Sequence, residues 1–284
     1  MMDARAEGQT RRPSVETLLH DLFPQQYVLH VHPASVNGIT CSREGEKAMK
    51  RLFPGAIWVD ACKPGYILAL ACKEKMDDYK AQTGADCNLL FLQNHGIFFA
   101  SDTVEELDAL AETTMQTIDT QIKAQPDSTP VGVDVQKVGF FSKQLEALFG
   151  AGKPAAVTFT ASKAVLDYDP TTKSVSPDHI VYAKAKQLIL SVQANEQEIA
   201  DAFAAFTAQN GYQPKIVFVA GLGMFSCGLT EKEANVSREV MLDAIKVVFY
   251  TQYFGGVSTM PEELIDFIIN WEVESYRAKV SAGN

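Results

Sequence analysis

The sequence of 284 residues is poor in cysteine and histidine and contains no long hydrophobic run. No apolar stretch approaches the roughly 18–20 residues of a membrane-spanning helix, and the N-terminal segment MMDARAEGQTRRP has no hydrophobic signal core. The five cysteines are scattered and form no CxxC pair, which favours free thiols over a disulfide-stapled, secreted fold. These absences predict a cytoplasmic protein without a membrane partner.

Positive charge is also scarce in this chain. Lysine and arginine total 25 against 35 aspartates and glutamates, which gives a formal net charge of −10. Such a surface repels phosphate backbones, so we expect no nucleic-acid partner. The hydrophobic share of 46% and the charged share of 21% are ordinary for a globular protein, and they exclude a disordered, collagen-like or coiled-coil chain.

Short apolar runs alternate along the chain with segments of helical character. The strand candidates are YVLHVHP, AIWVDA and NLLFLQNHGIFFA in the first half, and AAVTFTA, QLILSV and KIVFVAG in the second. We interpret NLLFLQNHGIFFA as one buried strand interrupted by its NHG segment. Strands that alternate with helices indicate an α/β layer architecture. We place one domain at residues 1–150 and a smaller α/β domain at 151–284, and we find no internal repeat.

Three of the five histidines suggest a metal site. His30 and His32 lie two residues apart on a strand candidate, so both rings leave the same face. His95 stands in an otherwise apolar strand, where an imidazole needs a partner to offset its desolvation. Three imidazoles plus an open position are typical of a catalytic Zn²⁺ site, in which the ion acts as a Lewis acid. The alternative is two half-exposed strand histidines and one hydrogen-bonded core histidine.

Glu16 is the fourth candidate for this site. It precedes His30 by fourteen residues and lies near the start of a helix candidate. On local sequence alone, a carboxylate in the first turn of a helix explains it better than a catalytic role. His20, four residues later, is interpreted as a helix-packing residue.

Four blocks of the first half have a distinctive order and spacing. They are S-V-E-T-L-L-H, V-L-H-V-H-P-A-S-V-N-G-I, K-P-G-Y-I-L-A and L-L-F-L-Q-N-H-G-I-F-F-A-S-D-T-V-E-E-L, spanning about 14–125. Together they resemble the class II aldolase/adducin family. The resemblance implies a three-layer α/β/α sandwich, one Zn²⁺ per subunit and a homotetramer around a four-fold axis. It also implies that His30, His32 and His95 are metal ligands and that Glu16 is the catalytic glutamate.

For function, the resemblance implies a class II, Zn²⁺-dependent aldolase, which is a carbon–carbon lyase acting on a small sugar phosphate. The members it resembles most cleave rhamnulose or fuculose 1-phosphate to dihydroxyacetone phosphate and an aldehyde. Other members are epimerases, dehydratases and a decarboxylase on the same metal site, and adducin keeps the fold without the enzyme activity. The alternative is therefore a non-catalytic, adducin-like metal-binding or assembly module.

The chain departs from the family pattern near its beginning. Only fifteen residues precede Glu16, and the Gly/Ser/Thr segments that hold the substrate phosphate in the family are not found among them. We therefore expect poor phosphate affinity and weak or absent aldolase activity. We also expect self-association, because a sheet edge and apolar surface near the metal would be left exposed.

The second half contains the motifs S-P-D-H-I-V-Y-A-K, V-F-V-A-G-L-G-M-F-S-C-G and W-E-V-E-S-Y-R-A-K. They resemble the segment that follows the aldolase part of long bacterial rhamnulose-phosphate aldolase/alcohol dehydrogenase proteins. Because the chain stops at Asn284, we expect no complete dehydrogenase. Gly221 and Gly223 follow a strand candidate, but Ser226 stands where the dinucleotide fingerprint requires glycine, so we favour a tight strand-to-helix turn over an NAD site. His179 is interpreted as a residue of a capped turn.

Overall fold

The computed structural model describes residues 5–10 and 13–271. Within these residues the chain forms two four-stranded sheets, each with helices on both faces. The predicted α/β class and three-layer arrangement are confirmed. No helix in the described ranges is long and apolar enough to cross a membrane. The end of the predicted last helix and the WEVESYRAK motif, from Glu272 onward, lie outside the described residues.

The first unit uses a continuous stretch of chain. Its elements are α1 (Thr17–His20), β1 (Tyr27–Val31), α2 (Ala34–Thr40), α3 (Gly45–Leu52), β2 (Ile57–Val59), α4 (Tyr66–Thr83), β3 (Leu89–Leu92), β4 (Gly96–Ser101) and α5 (Val104–Asp119). The strands are ordered β1-β4-β3-β2, so that β1 lies at one edge of the sheet. Strand β4 is antiparallel to both β1 and β3, whereas β2 and β3 run parallel.

Strand β3 shows why this sheet is covered on both faces. Successive side chains of a strand point to opposite faces. Leu90 and Leu92 accordingly enter a core shared with α1 and α4, whereas Leu89 and Phe91 enter a core shared with α2, α3 and α5. All four side chains are buried. Burial on both faces explains the uniformly apolar sequence of the strand.

The second unit follows the first along the chain, and its helices and strands alternate in a similar order. Its elements are α6 (Val135–Gly150), β5 (Ala156–Thr160), α7 (Lys163–Asp167), α8 (Pro177–Ala183), β6 (Leu188–Leu190), α9 (Glu196–Asn210), β7 (Ile216–Val219), β8 (Gly223–Gly228), α10 (Glu231–Thr251) and α11 (Glu262–Asn270). Helices α6 and α9 cover one face of this sheet, and α7 and α10 cover the other. Helix α6 precedes the boundary predicted at residue 150, but its Phe141 and Leu145 pack onto the second sheet.

The two sheets share one strand topology, although no repeat is evident in the sequence. In each sheet the first strand pairs antiparallel with the fourth, the fourth antiparallel with the third, and the third parallel with the second. Gly96 and Gly223 open the fourth strand, each opposite the last residue of the third. Thr103 and Thr230 then cap the following helices through their side chains. The chain thus contains two copies of one α/β topology.

Two strand predictions are wrong in the same way. NLLFLQNHGIFFA forms two antiparallel strands, β3 and β4, instead of one interrupted strand. The Gly221–Gly223 segment joins β7 to β8 in the equivalent hairpin, instead of joining a strand to a helix. Apolar residues continue on both sides of each turn, so hydrophobicity does not reveal where the chain reverses.

The two units contact each other around α2 and the end of α10. Helix α10 packs along α2, and Phe254, in a short 3-10 turn after α10, is buried in the core of the first unit. The backbone N–H groups of Arg43 and Glu44 donate to the carbonyl oxygens of Gly256 (2.9 Å) and Phe254 (3.0 Å). A segment of the second unit therefore completes the core of the first.

We predict that Phe254→Ala destabilises the first unit. Removing a buried phenylalanine side chain costs about 3–5 kcal/mol of the free energy of unfolding. Chemical denaturation measures this loss. Native-state hydrogen exchange should also show faster exchange of the β3 amides, because Phe254 shares a core with Leu89 and Phe91.

Phe267→Ala is the matched control for this prediction. Phe267 is only half-buried and packs in a separate cluster with α8 and α11. Exchange of the β3 amides should be unchanged in the control. If both variants accelerate exchange in β3 equally, Phe254 does not support the first core in the way its position indicates.

Candidate metal centre

Four side chains converge beside the first sheet. They are Glu16, His30, His32 and His95, and one possible ligand atom from each lies within 4.8 Å of the others. Glu16 directly precedes α1, His30 and His32 lie at the end of β1, and His95 lies in the β3–β4 turn. The structure therefore brings together all four residues that the sequence analysis selected.

The pairing of β1 with β4 positions two of the histidines. His30 is opposite Phe98, and the two rings are stacked with their centroids 4.0 Å apart. Val31 is opposite Ile97, which brings His32 beside Gly96. A Cβ atom at position 96 would overlap the His32 ring and lie 2.6 Å from the carbonyl oxygen of Val31. The absence of a side chain at this position is what allows His32 to join the group.

The β3–β4 turn positions the third histidine. Asn94 has a φ of 56°, in the left-handed region that asparagine adopts more readily than most residues. Its side-chain amide donates to the carbonyl oxygens of Val175 (3.0 Å) and Ser258 (2.8 Å) in the second unit. These bonds anchor the turn that carries His95 to the second unit.

The Nε2 atoms of the three rings point towards one another and towards the carboxylate. The Nε2 atoms of His30 and His32 are 2.9 Å apart. Oε1 of Glu16 lies 3.6 Å from Nε2 of His30 and 3.5 Å from Nε2 of His95. The arrangement leaves a common centre that all four donor atoms can face.

Hydrogen bonds set the tautomer of two rings. Nδ1 of His30 lies 2.9 Å from the carbonyl oxygen of Ile97, which can only accept, so this nitrogen must donate. Nδ1 of His32 lies 2.7 Å from a carboxylate oxygen of Asp178. A neutral ring that donates from Nδ1 has its lone pair on Nε2. In that neutral form both Nε2 lone pairs are directed at the common centre, where a bound cation would accept them.

The pKa values of three members of the group favour the forms that bind a metal ion. Burial, together with the neighbouring imidazoles, lowers the pKa of His30 to about 3, and burial also lowers the pKa of His95. Burial alone would raise the pKa of Glu16, but the hydrogen bond to His95 and the nearby histidines outweigh it and lower that pKa to about 2. Near neutral pH, two imidazoles are therefore neutral and the carboxylate is ionised, which are the forms that bind metal.

This donor set fits a divalent metal ion. Imidazole nitrogens and a carboxylate oxygen are ligands of Zn²⁺ and of other first-row divalent ions. The side chain of His30 is 4% exposed and that of Glu16 is 24% exposed, so the group is buried on one side and open on the other. His20 stands apart, because its ring packs edge-on against Phe98 with a centroid separation of 5.3 Å.

One residue of this site has no distinctive signal in the sequence. In the motif S-P-D-H the histidine is His179, whose Nε2 lies 3.1 Å from Oδ2 of Asp243, away from the metal-binding group. The preceding residue, Asp178, is the one that contacts His32. The only sequence signal was the position of this carboxylate at the start of a short helix, which is also explained by helix capping.

The second unit lacks the ligand set at the equivalent positions. In the strand register, the places of His30, His32 and His95 are taken by Phe159, Ala161 and Leu222. The Gly221–Gly223 turn belongs to this apolar hairpin. This turn leads into β8 and not into a helix.

Comparison with known families covers most of the chain. Residues 1–122 match the family described as "Class II Aldolase and Adducin N-terminal domain", and residues 150–277 match "Aldolase class II, second domain". The chain belongs to the class II aldolase/adducin family, as its motifs predicted.

Two individual relatives share only about a quarter of their residues or fewer with this chain, at 21% and 26% identity. The "Uncharacterized oxidoreductase YuxG" of Bacillus subtilis (strain 168) is 21% identical over 94% of this chain and 44% of its own length, so the chain spans less than half of that relative. A solved N-terminal class II aldolase domain of a conserved protein from Thermoplasma acidophilum is 26% identical. That match covers 39% of this chain and 49% of the other, with a TM-score of 0.34.

We predict that Gly96→Ala displaces His32 and weakens metal binding. The new methyl group would occupy the space of the His32 ring and press on the Val31 carbonyl group, so the ring must leave the common centre. Metal content after dialysis, measured by mass spectrometry, reports the loss.

Gly139→Ala provides the control for this substitution. Gly139 is exposed on α6, and a Cβ atom there meets nothing within 4 Å. This variant should keep its metal and gain slight helix stability, by up to about 1 kcal/mol. Undiminished metal content in Gly96→Ala would show that residue 96 does not control the position of His32.

Proposed function

We propose that this chain is a Zn²⁺-dependent class II aldolase, a carbon–carbon lyase of carbohydrate metabolism. Its substrate would be a ketose 1-phosphate of the rhamnulose or fuculose type, cleaved to dihydroxyacetone phosphate and an aldehyde. The convergence of three imidazole Nε2 atoms on an ionised, partly open carboxylate is the observation that carries this proposal. Membership of the class II aldolase/adducin family supports a lyase.

In this proposal His30, His32 and His95 hold the metal ion. When bound, the ion supplies a Lewis acid that stabilises the negative charge developing on substrate oxygens. The side chain of His30 is almost fully buried and stacked on Phe98, so it acts by orienting its Nε2 atom and does not contact substrate. The histidines thus serve as a rigid frame around the centre.

Glu16 is the proposed proton carrier. Because its lowered pKa keeps the carboxylate ionised, it can accept a proton from the carbon of dihydroxyacetone phosphate that becomes nucleophilic in the direction of synthesis. In the direction of cleavage, the C4 hydroxyl gives its proton to the ionised carboxylate as the C3–C4 bond breaks and the aldehyde forms, and the carboxylate then delivers that proton to C3. The two products together have the composition of the substrate, and Glu16 returns to its ionised form.

We also propose a cytoplasmic homotetramer whose partner is a small sugar phosphate. Support for a reducing compartment comes from the five cysteines, all of which are free. The tetramer follows from the family resemblance. Size-exclusion chromatography with light scattering measures the assembly state directly.

We predict about one Zn²⁺ per chain in the purified protein and loss of this ion in His95→Ala. His20→Ala is the matched control, because His20 lies near the group, with its ring centroid 6.5 Å from that of His30, yet is not part of it. The control should keep its metal. A reconstituted wild-type chain that binds no divalent ion would remove the basis of the proposed function.

We predict that Glu16→Gln retains metal but loses lyase activity by roughly 10²–10⁴-fold, because an amide keeps the shape of the side chain but cannot accept the proton. A coupled assay for dihydroxyacetone phosphate, with rhamnulose and fuculose 1-phosphates as substrates, measures the rate. Glu74→Gln, on the exposed surface of α4, is the control and should cleave at the wild-type rate.

The same assay separates the proposal from its alternative. Metal binding without cleavage of any ketose phosphate would favour a non-catalytic metal-binding or assembly module. Unchanged turnover in Glu16→Gln would remove Glu16 from the mechanism.

A further inference from the structure

We propose that the second unit completes the metal centre of the first, with Asp178 as the positioning residue for His32. This inference rests on the metal site of the proposed function. The second copy of the α/β topology has apolar residues where the first has ligands, so its contribution is made through the contacts that it sends across to the first unit.

The contact with His32 is a short, charge-assisted hydrogen bond. Oδ2 of Asp178 lies 2.7 Å from Nδ1 of His32, on the side of the ring opposite to Nε2. A carboxylate at this position fixes the rotation of the ring, holds the hydrogen on Nδ1 and makes Nε2 a stronger donor to a metal ion. Nδ1 of His30 donates the equivalent bond to the Ile97 carbonyl oxygen within its own sheet, whereas Nδ1 of His32 donates to a carboxylate of the other unit.

The helix that carries Asp178 is firmly held. It begins at Pro177, and the flanking Pro177 and His179 are buried, whereas Asp178 is partly open. Nε2 of His179 lies 3.1 Å from Asp243 on α10, and α10 in turn packs along α2. Helix α2 starts two residues after His32. The Asp178 carboxylate and the His32 ring are therefore both positioned by the packing of α10 against α8 and α2.

The segment that precedes Asp178 also contacts the β3–β4 turn, which carries His95. The carbonyl oxygen of Val175 accepts a hydrogen bond from the side chain of Asn94, next to His95, at 3.0 Å. Residues 175–178 therefore contact both places from which the histidine ligands emerge, the end of β1 and the β3–β4 turn. This double contact distinguishes a built positioning element from a single accidental surface pair.

The test compares Zn²⁺ dissociation constants, measured by competition with a chromophoric chelator. Asp178→Ala should bind Zn²⁺ about 10- to 100-fold more weakly than the wild type. Asp178→Asn should lose less affinity, because its amide oxygen still accepts from Nδ1 but carries no charge. Asp201→Asn, on the exposed surface of α9, is the matched control and should bind like the wild type.

Two spectroscopic measurements separate positioning from a general structural effect. Nitrogen-15 correlation spectra of the metal-free protein should show His32 protonated on Nδ1 in the wild type and in Asp178→Asn, with Nε2–H appearing in Asp178→Ala. The visible spectrum of the Co²⁺-loaded protein should change in Asp178→Ala and remain unchanged in Asp201→Asn. If Asp178→Ala does not fold, the Asn variant carries the comparison.

Equal Zn²⁺ affinities in the wild type and in Asp178→Ala would overturn this inference and leave the proposed lyase intact. Normal affinity in Asp178→Ala with an altered tautomer would also overturn it, because the bond would then orient the ring without affecting the metal. A wild-type chain that binds no metal would overturn both proposals. None of these measurements requires lyase activity. A chain that binds Zn²⁺ but cleaves no ketose phosphate would therefore contradict the proposed reaction without affecting the inference about Asp178.

Discussion

The lack of a side chain at residue 96 is the constraint on which the metal-binding group depends. Strand β4 begins at this glycine, directly after the turn that carries His95, and the ring of His32 lies in the space that a Cβ atom would fill. Two parts of the chain that are distant in sequence can therefore bring their imidazoles to one point. The pairing of β1 with β4 supplies the alignment, and Gly96 supplies the room.

The electrostatics of the group follow from this close approach. Burial lowers the pKa of His30 and His95, so these two rings are neutral at the point where the donor atoms of the group converge. The partners at Nδ1, a backbone carbonyl group for His30 and a carboxylate for His32, fix the orientation of these two rings and keep Nε2 facing the common centre. The fold therefore brings the donor atoms together before a cation binds.

Much of the first unit could be predicted from the sequence, because its signals are local. The i, i+2 spacing of His30 and His32 and the isolated imidazole of His95 indicate a shared site before any coordinates are known. Asp178 could not be found in this way, since nothing in its neighbours shows that it faces a strand end nearly 150 residues earlier in the chain. The hairpin turns could not be predicted because apolar residues flank them on both sides. The second copy of the topology could not be recognised in the sequence either, because Phe159, Ala161 and Leu222 stand where the first unit has its histidine ligands.

The covalent link between the two copies has a consequence for how the site is completed. In a centre assembled from two separate chains, the orienting groups arrive only when the protein is concentrated enough to associate. Here residues 175–178 and Phe254 belong to the same polypeptide as the ligands. Their effective concentration at the first unit is therefore set by the covalent connection and does not depend on the concentration of the protein. The second unit therefore behaves as a permanently attached subunit. It has apolar residues at the ligand positions, and it contributes groups that contact the ligand-bearing segments of the first unit.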